Sequence, residues 1–71
     1  MTLTITYEAS GCPRVVMSSH DDIRDAHAAV RARFSAAYRV ESLALCGVVL
    51  FEGIDRGRIA ARRVATYRIT P

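Results

Sequence analysis

Two histidines and neighbouring aspartates near residue 20 are of the types that bind metal ions or move protons. His20 and His27 lie seven residues apart, which is two helical turns, or about 10 Å along a helix axis. Zinc-binding histidines on one helix are usually three or four residues apart, as in the HExxH motif. The spacing therefore predicts no metal site: Asp21 and Asp22 cap a helix, and His27 lies at the edge of the core.

Cys12, His20 and either Asp21 or Asp22 are the residue types of a catalytic triad, in which a thiol nucleophile is activated by a histidine base. Such a nucleophile also needs an oxyanion hole in a concave pocket, which a single sheet with one helix rarely encloses in a chain of 71 residues. The sequence contains no phosphate-binding glycine motif and no CxxC pair. We therefore predict no catalytic residues and no cofactor, and keep an enzyme built on His20, Asp22 and Cys12 as the least favoured hypothesis.

Arginine is concentrated in the last third of the chain. All ten basic residues are Arg, and the formal net charge is +3. Acidic and basic residues balance in residues 1–41, so the whole excess lies in residues 42–71. Four of these arginines are predicted to form the electrostatic part of a binding surface for an acidic partner. They are Arg56, Arg58, Arg62 and Arg68.

Three of these four are predicted to share one face of the last strand, since Arg58, Arg62 and Arg68 are separated by even numbers of residues. Arg63 is left out because its parity points it toward the core or a bulge. Three interpretations stay open: a solvated strand edge guarded by charge, a protein-binding surface, and a nucleic-acid-binding surface. Against the last, the sequence shows no aromatic residues interleaved with these arginines.

Alternation and helical spacing give the elements that must position these residues. In chain order they are a strand over 2–8, a strand over 14–18, a helix over 21–38, a strand over 43–52, a loop over 53–57 and a strand over 58–69. Gly47 marks a bulge or a tight turn that splits the fourth segment, and residues 40–42 are ambiguous. A bulge is expected near Arg62 and Arg63, and a helix is the rival interpretation of residues 58–67.

The resulting prediction is a single α+β domain over residues 1–71. It has ββαββ order, with a mostly antiparallel four-stranded sheet and one helix packed on one face. Val15 and Met17 are predicted to face the core. The helix is expected to contact the sheet through a small apolar set: Ile23, Val30 and Phe34 against Leu3, Ile5 and Leu45 or Val49.

One helix cannot cover both faces of a sheet, so an apolar patch is predicted on the other face. Val48 and Leu50 are its predicted binding residues, beside Cys46, Val16 and Val64. Exposed patches of this kind mark partner surfaces, which makes a homodimer or a bound target the expected cover.

The two cysteines and the first residues predict a cytoplasmic protein. Cys46 lies in an apolar run and is expected to be buried, and both Cys12 and Cys46 are predicted to be reduced and unbridged. Residues 1–6 lack the basic and apolar regions of a secretory leader. The longest apolar run, residues 43–51, is about half the length of a membrane span.

The whole-chain profile resembles that of small single-domain inhibitors encoded by phages, of which anti-CRISPR proteins are the best-known group. The resemblance is carried by a 71-residue chain with a hairpin, a helix, a further hairpin, no catalytic set and charge concentrated on one element. It implies a non-enzymatic inhibitor or adaptor that blocks a larger protein or ribonucleoprotein complex by steric occlusion. The alternative is a small nucleic-acid-binding domain that uses the arginine-rich C-terminal hairpin.

Overall fold

The structure, a computed structural model, describes residues 1–8, 13–34 and 36–71. Its elements are β1 (Thr2–Tyr7), β2 (Arg14–Ser19), α1 (Ile23–Arg33), β3 (Tyr38–Leu43), β4 (Cys46–Asp55) and β5 (Arg58–Thr70). The strands form one antiparallel sheet in the order β2-β1-β5-β4-β3. The predicted four-stranded sheet with ββαββ order is therefore wrong, since the described residues form five strands in the order ββαβββ.

The additional strand results from a turn between β3 and β4 that lacks the usual turn residues. β3 and β4 are joined through Ala44 and Leu45, with Leu43 paired to Cys46. Ala44 has φ 52°, in the left-handed region that alanine seldom adopts. The turn contains no Gly, Asn or Asp, so the apolar run over residues 43–52 predicts a single strand.

Tertiary hydrogen bonds hold this turn in place. His27 Nε2 donates to the Ala44 carbonyl oxygen at 2.9 Å, and this fixes the ring so that Nδ1 accepts from the Tyr67 hydroxyl at 2.7 Å. The Tyr67 oxygen in turn accepts from the Ser42 hydroxyl at 2.6 Å. The helix, β3, β5 and the turn therefore share one hydrogen-bonded chain, and His27 lies at the core edge as predicted.

The helix is shorter than its apolar spacing predicts. The Asp22 side chain caps it, accepting from the Asp25 backbone N–H at 2.7 Å, and it ends at Arg33. Phe34 is already extended, with φ −113° and ψ 138°. Its ring packs against Tyr7 and Tyr38 with centroids 5.8 and 5.6 Å apart. These aromatic contacts across the sheet override the helical pattern that would have continued to residue 38.

The core lies between α1 and one face of the sheet, which we call the helix face. Its buried members are Leu3, Ile5, Ala26, Val30, Val49, Ala65, Tyr67 and Ile69. Val30 takes its predicted place, and Phe34 packs against the cluster half-buried. Ile23 and Leu45 are each 39% exposed and lie at the margin of the core.

A bulge in β5 changes the direction of the side chains along that strand. Val49 pairs with Ala65, but Leu50 pairs with Arg63, so Val64 is the extra residue. This places the bulge one residue beyond the position expected from the sequence. Before the bulge, in residues 58–62, the even-numbered side chains of β5 point to the helix face. After it, in residues 65–69, the odd-numbered side chains do so.

Candidate binding surface

The hairpin of β4 and β5 extends beyond the rest of the sheet. β3 pairs with β4 only as far as Phe51, and β1 pairs with β5 only as far as Ala65. Residues 52–61, here called the arm, form four cross-strand residue pairs closed by a two-residue turn, and they pair with no other described strand. At about 3.3 Å per residue, its paired strands are each roughly 13 Å long.

The tip of the arm is a two-residue turn at Arg56 and Gly57. Their φ values are 52° and 75°, and two successive positive φ angles characterise the type I′ turn, whose twist matches that of paired strands. The loop predicted over residues 53–57 is thus confined to this turn, and the strands on both sides continue to it. Arg56 is therefore presented at the most distant point of the hairpin.

The two faces of the arm differ in chemistry. On the side opposite the helix, Ile54 and Ile59 form a cross-strand pair and are 80% and 84% exposed. On the helix side, Gly53 pairs with Ala60 beside Phe51, which leaves a shallow groove. An apolar pair with so much exposed area cannot serve the core, so the arm carries a free apolar surface close to its tip.

The bulge divides the four predicted arginines between two faces. Arg62 pairs with Phe51, on the helix side, and the alternation puts Arg58 on that side too. Arg68 pairs with Thr4 and Cys46 on the opposite face. The prediction that Arg58, Arg62 and Arg68 line one face is therefore wrong, because the extra residue at Val64 reverses the parity between them.

Arg63, which the parity argument excludes from the predicted site, lies on the surface. It pairs with Leu50 across the strands, its side chain is 57% exposed, and its Nε donates to Glu8 Oε1 at 2.8 Å. Arg39 is likewise held by Glu41 and by Glu52, the latter at 3.0 Å. Among the side chains that the structure describes, no ion pair involves the four arginines of the predicted site. Residues 52–63 contain four Arg against two acidic residues.

The sheet face opposite the helix, here called the open face, is more polar than predicted. Val48 and Leu50 lie on it and are half-buried, with Cys46 beside them exposed rather than buried. Threonines from β1 and β5 occupy its centre, and they are Thr4, Thr6, Thr66 and Thr70. Cys46 is a free thiol, and Cys12 lies outside the described residues.

The edge strand β2 carries two strongly exposed apolar side chains. Val15 and Met17 are 56% and 66% exposed. Val16, not its neighbours, pairs with Ile5 on the helix face. The predicted facing of β2 was wrong by one residue, because a strand of consecutive apolar residues carries no alternation that fixes its parity.

The histidine and aspartates near residue 20 form a local network. Ser18 Oγ and His20 Nε2 are 2.7 Å apart, and His20 Nδ1 lies 2.9 Å from Asp25 Oδ2. The predicted combination of His20 with Asp22 does not form, because Asp22 caps the helix instead. Ser18 lies in β2, His20 directly follows that strand, and Asp25 lies in the first turn of α1. This network therefore links the start of the helix to the sheet.

Sequence reasoning also missed a row of aromatic rings at the base of the arm. Tyr7, Phe34, Tyr38 and Phe51 follow one another with centroid distances of 5.8, 5.6 and 5.5 Å. Arg14 lies over the Tyr7 ring at 5.2 Å. Each ring is half-buried and comes from a different part of the chain, so no local spacing could have revealed the row.

The described residues contain no group of three or more His, Cys, Asp or Glu arranged to hold a metal ion. In the same part of the chain, no helix has the length and apolar character needed to cross a membrane. No family model matches this chain, and comparisons with curated proteins and with solved structures find no match either.

Proposed function

We propose that the protein is a small non-enzymatic binding protein that inserts the arm into a larger protein or ribonucleoprotein complex and blocks it by occupation. The observation that carries the proposal is the exposed Ile54–Ile59 pair on a two-stranded projection. We place the protein in the cytoplasm. Phage-encoded inhibitors of the anti-CRISPR type are the class that this mode of action would fit.

The apolar pair supplies binding free energy that the folded monomer leaves unused. Burying an isoleucine side chain stabilises a complex by about 1.5–3 kcal/mol relative to leaving it exposed. The hydrogen-bonded strands hold both side chains on one face, so little conformational entropy is lost when they dock. These terms favour a partner with an apolar recess near the width of two strands.

The positive charge near the arm indicates which residues should border that recess on the partner. Arg56 lies at the tip, and Arg58 and Arg62 lie on the face opposite the isoleucines. Guanidinium groups pair with carboxylates in bidentate geometry, and their charge accelerates association with an acidic surface. An apolar recess bordered by Asp or Glu is therefore the complementary surface.

Capture from lysate of the source cells tests this proposal. The tagged wild type should retain a specific protein that Ile54→Ser/Ile59→Ser and Arg58→Glu/Arg62→Glu variants lose. The matched control is Arg24→Glu/Arg31→Glu, which makes the same charge change on exposed positions of α1. All variants should keep the wild-type circular dichroism, because exposed side chains contribute little to stability. Retention of every partner by both arm variants would refute the proposal.

Nucleic acid is the second candidate, and the arm's shape favours it specifically. A two-stranded antiparallel ribbon fits the major groove, which is about 12 Å wide, and arginine is the common donor to guanine. An electrophoretic shift at two salt concentrations separates the candidates. Binding to nucleic acid should weaken steeply with salt, with a slope set by the number of phosphates contacted, whereas a protein complex should show a shallower slope and depend on Ile54 and Ile59.

A further inference from the structure

The outer edge of β2 is a regular strand edge with free backbone groups. Met1 and His20 exchange both of their backbone hydrogen bonds, each at 2.8 Å, so even-numbered residues of β2 bond to β1. The N–H and C=O groups of Val15, Met17 and Ser19 therefore point away from the sheet. No other described strand pairs with this edge, and β2 pairs with β1 over all six residues without a bulge.

This edge lacks the features that prevent strands from pairing with one another. Charged side chains, prolines and bulges protect exposed edges in most sheets. The opposite edge, β3, carries Arg39 and Glu41. Within β2, Arg14 at the first position is the one charged residue, and the exposed Val15 and Met17 present an apolar surface.

The charges at the ends of β2 are complementary under a two-fold rotation. Arg14 begins the strand, and an acidic group of Asp21, Asp22 and Asp25 follows its end. When two copies pair antiparallel with Met17 opposite Met17, Arg14 of one copy lies opposite His20 of the other, on the same face. His20 is already bound to Asp25, which is 57% exposed. Each arginine thus meets the acidic end of the other copy, and the two arginines lie far apart.

We propose that two copies of this chain dimerise by antiparallel pairing of their β2 edges, centred on Met17. Val15 pairs with Ser19 of the second copy and Met17 pairs with its equivalent, so that six backbone hydrogen bonds form and Pro13 is not needed as a donor. The five-stranded sheets join into one sheet of ten strands. Val15 and Met17 of both copies become a continuous apolar stripe on the open face, and the two arms project from opposite ends.

Sedimentation equilibrium with amide hydrogen exchange by NMR tests the pairing. The wild type should change from monomer to dimer with rising concentration. The N–H groups of Val15, Met17 and Ser19 should become protected from exchange over the same range. The amides of Val16 and Ser18, which bond within the monomer, should be protected at every concentration and serve as internal controls.

Two variants at Met17 separate backbone pairing from side-chain contact. Met17→Pro removes the central N–H and should abolish the dimer, whereas Met17→Thr keeps the N–H and should retain it with weaker affinity. Arg14→Glu should weaken dimerisation about three- to tenfold, because exposed ion pairs contribute little each. If the proline variant does not fold, the exchange data on the wild type still decide.

A protein that stays monomeric up to about 0.5 mM would overturn the proposal. An interface with six backbone hydrogen bonds and an apolar stripe should form a detectable dimer at that concentration. A dimer whose Met17 amide exchanges as fast as in the monomer would also overturn it, because its contact then lies elsewhere. Protection of Met17 that appears only when an extended peptide of another protein is added would assign the edge to that peptide and refute self-pairing.

Discussion

Replacing Gly47 with alanine tests the close packing of the Tyr67 ring against β4. Gly47 pairs with Tyr67 across β4 and β5, and a Cβ atom at Gly47 would lie 2.3 Å from Tyr67 Cε1 and 2.5 Å from its Cζ. Tyr67 is 3% exposed, and its hydroxyl is bound to both His27 and Ser42. The ring therefore cannot move away without breaking two hydrogen bonds.

The expected loss of stability is large for a chain of this size. Overpacking a core costs about 1–3 kcal/mol, and each of the two hydrogen bonds contributes about 0.5–1.5 kcal/mol. The sum is roughly 2–6 kcal/mol, against a total free energy of unfolding of roughly 4–10 kcal/mol for 71 residues. We expect Gly47→Ala to be mostly or wholly unfolded at 37 °C.

Urea unfolding followed by circular dichroism measures the effect, and two companion variants assign its cause. Gly53→Ala is the matched control, since its Cβ would meet the half-buried Phe51 ring at 2.9 Å, and that ring makes no hydrogen bond that fixes it. In a double-mutant cycle, Tyr67→Phe should reduce the cost of Gly47→Ala, because the ring is then free to shift. A Gly47→Ala protein within 0.5 kcal/mol of the wild type would refute the reasoning.

Three further substitutions test the turn, the aromatic row and the helix. Ala44→Gly should stabilise the protein by roughly 0.5–1 kcal/mol, because glycine adopts φ 52° without strain; an unchanged or lowered melting temperature would contradict this. Phe34→Ala should cost about 2 kcal/mol in urea unfolding, less than the 3–5 kcal/mol of a fully buried phenylalanine, because Phe34 is half-buried. Val30 has no exposed area, so Val30→Ala should lower the free energy of unfolding at least as much as Phe34→Ala. A larger loss for Phe34→Ala would show that the aromatic row contributes more to stability than the contacts of α1 with the sheet.

Some features follow from the sequence because local chemistry decides them. The strict alternation of residues 2–8 gives β1 its buried Leu3 and Ile5, and the aspartates before α1 supply its cap. The parity conflict at Arg63 already indicates the β5 bulge within one residue of its position. In each case the signal lies within a few residues of the feature it predicts.

Other features depend on contacts between distant parts of the chain, and the sequence misassigns them. The β3–β4 turn uses an alanine in a left-handed conformation, which becomes acceptable because His27, 17 residues away, binds its carbonyl group. The helix ends early because Phe34 joins rings from β1 and β3. The sequence predicts a helix as far as residue 38 and a strand that starts at residue 43. Together these two predictions leave no room for β3, the fifth strand.

The candidate surface shows the same division. The positions of the charged residues in the sequence place the excess positive charge in the last third of the chain, whatever the fold. Which arginines share a face is set by the single extra residue at Val64, because one inserted residue reverses every side chain beyond it. The exposure of Ile54 and Ile59 likewise depends on where the neighbouring strands stop. That boundary is fixed by the pairing of β1 and β3, which only the tertiary structure determines.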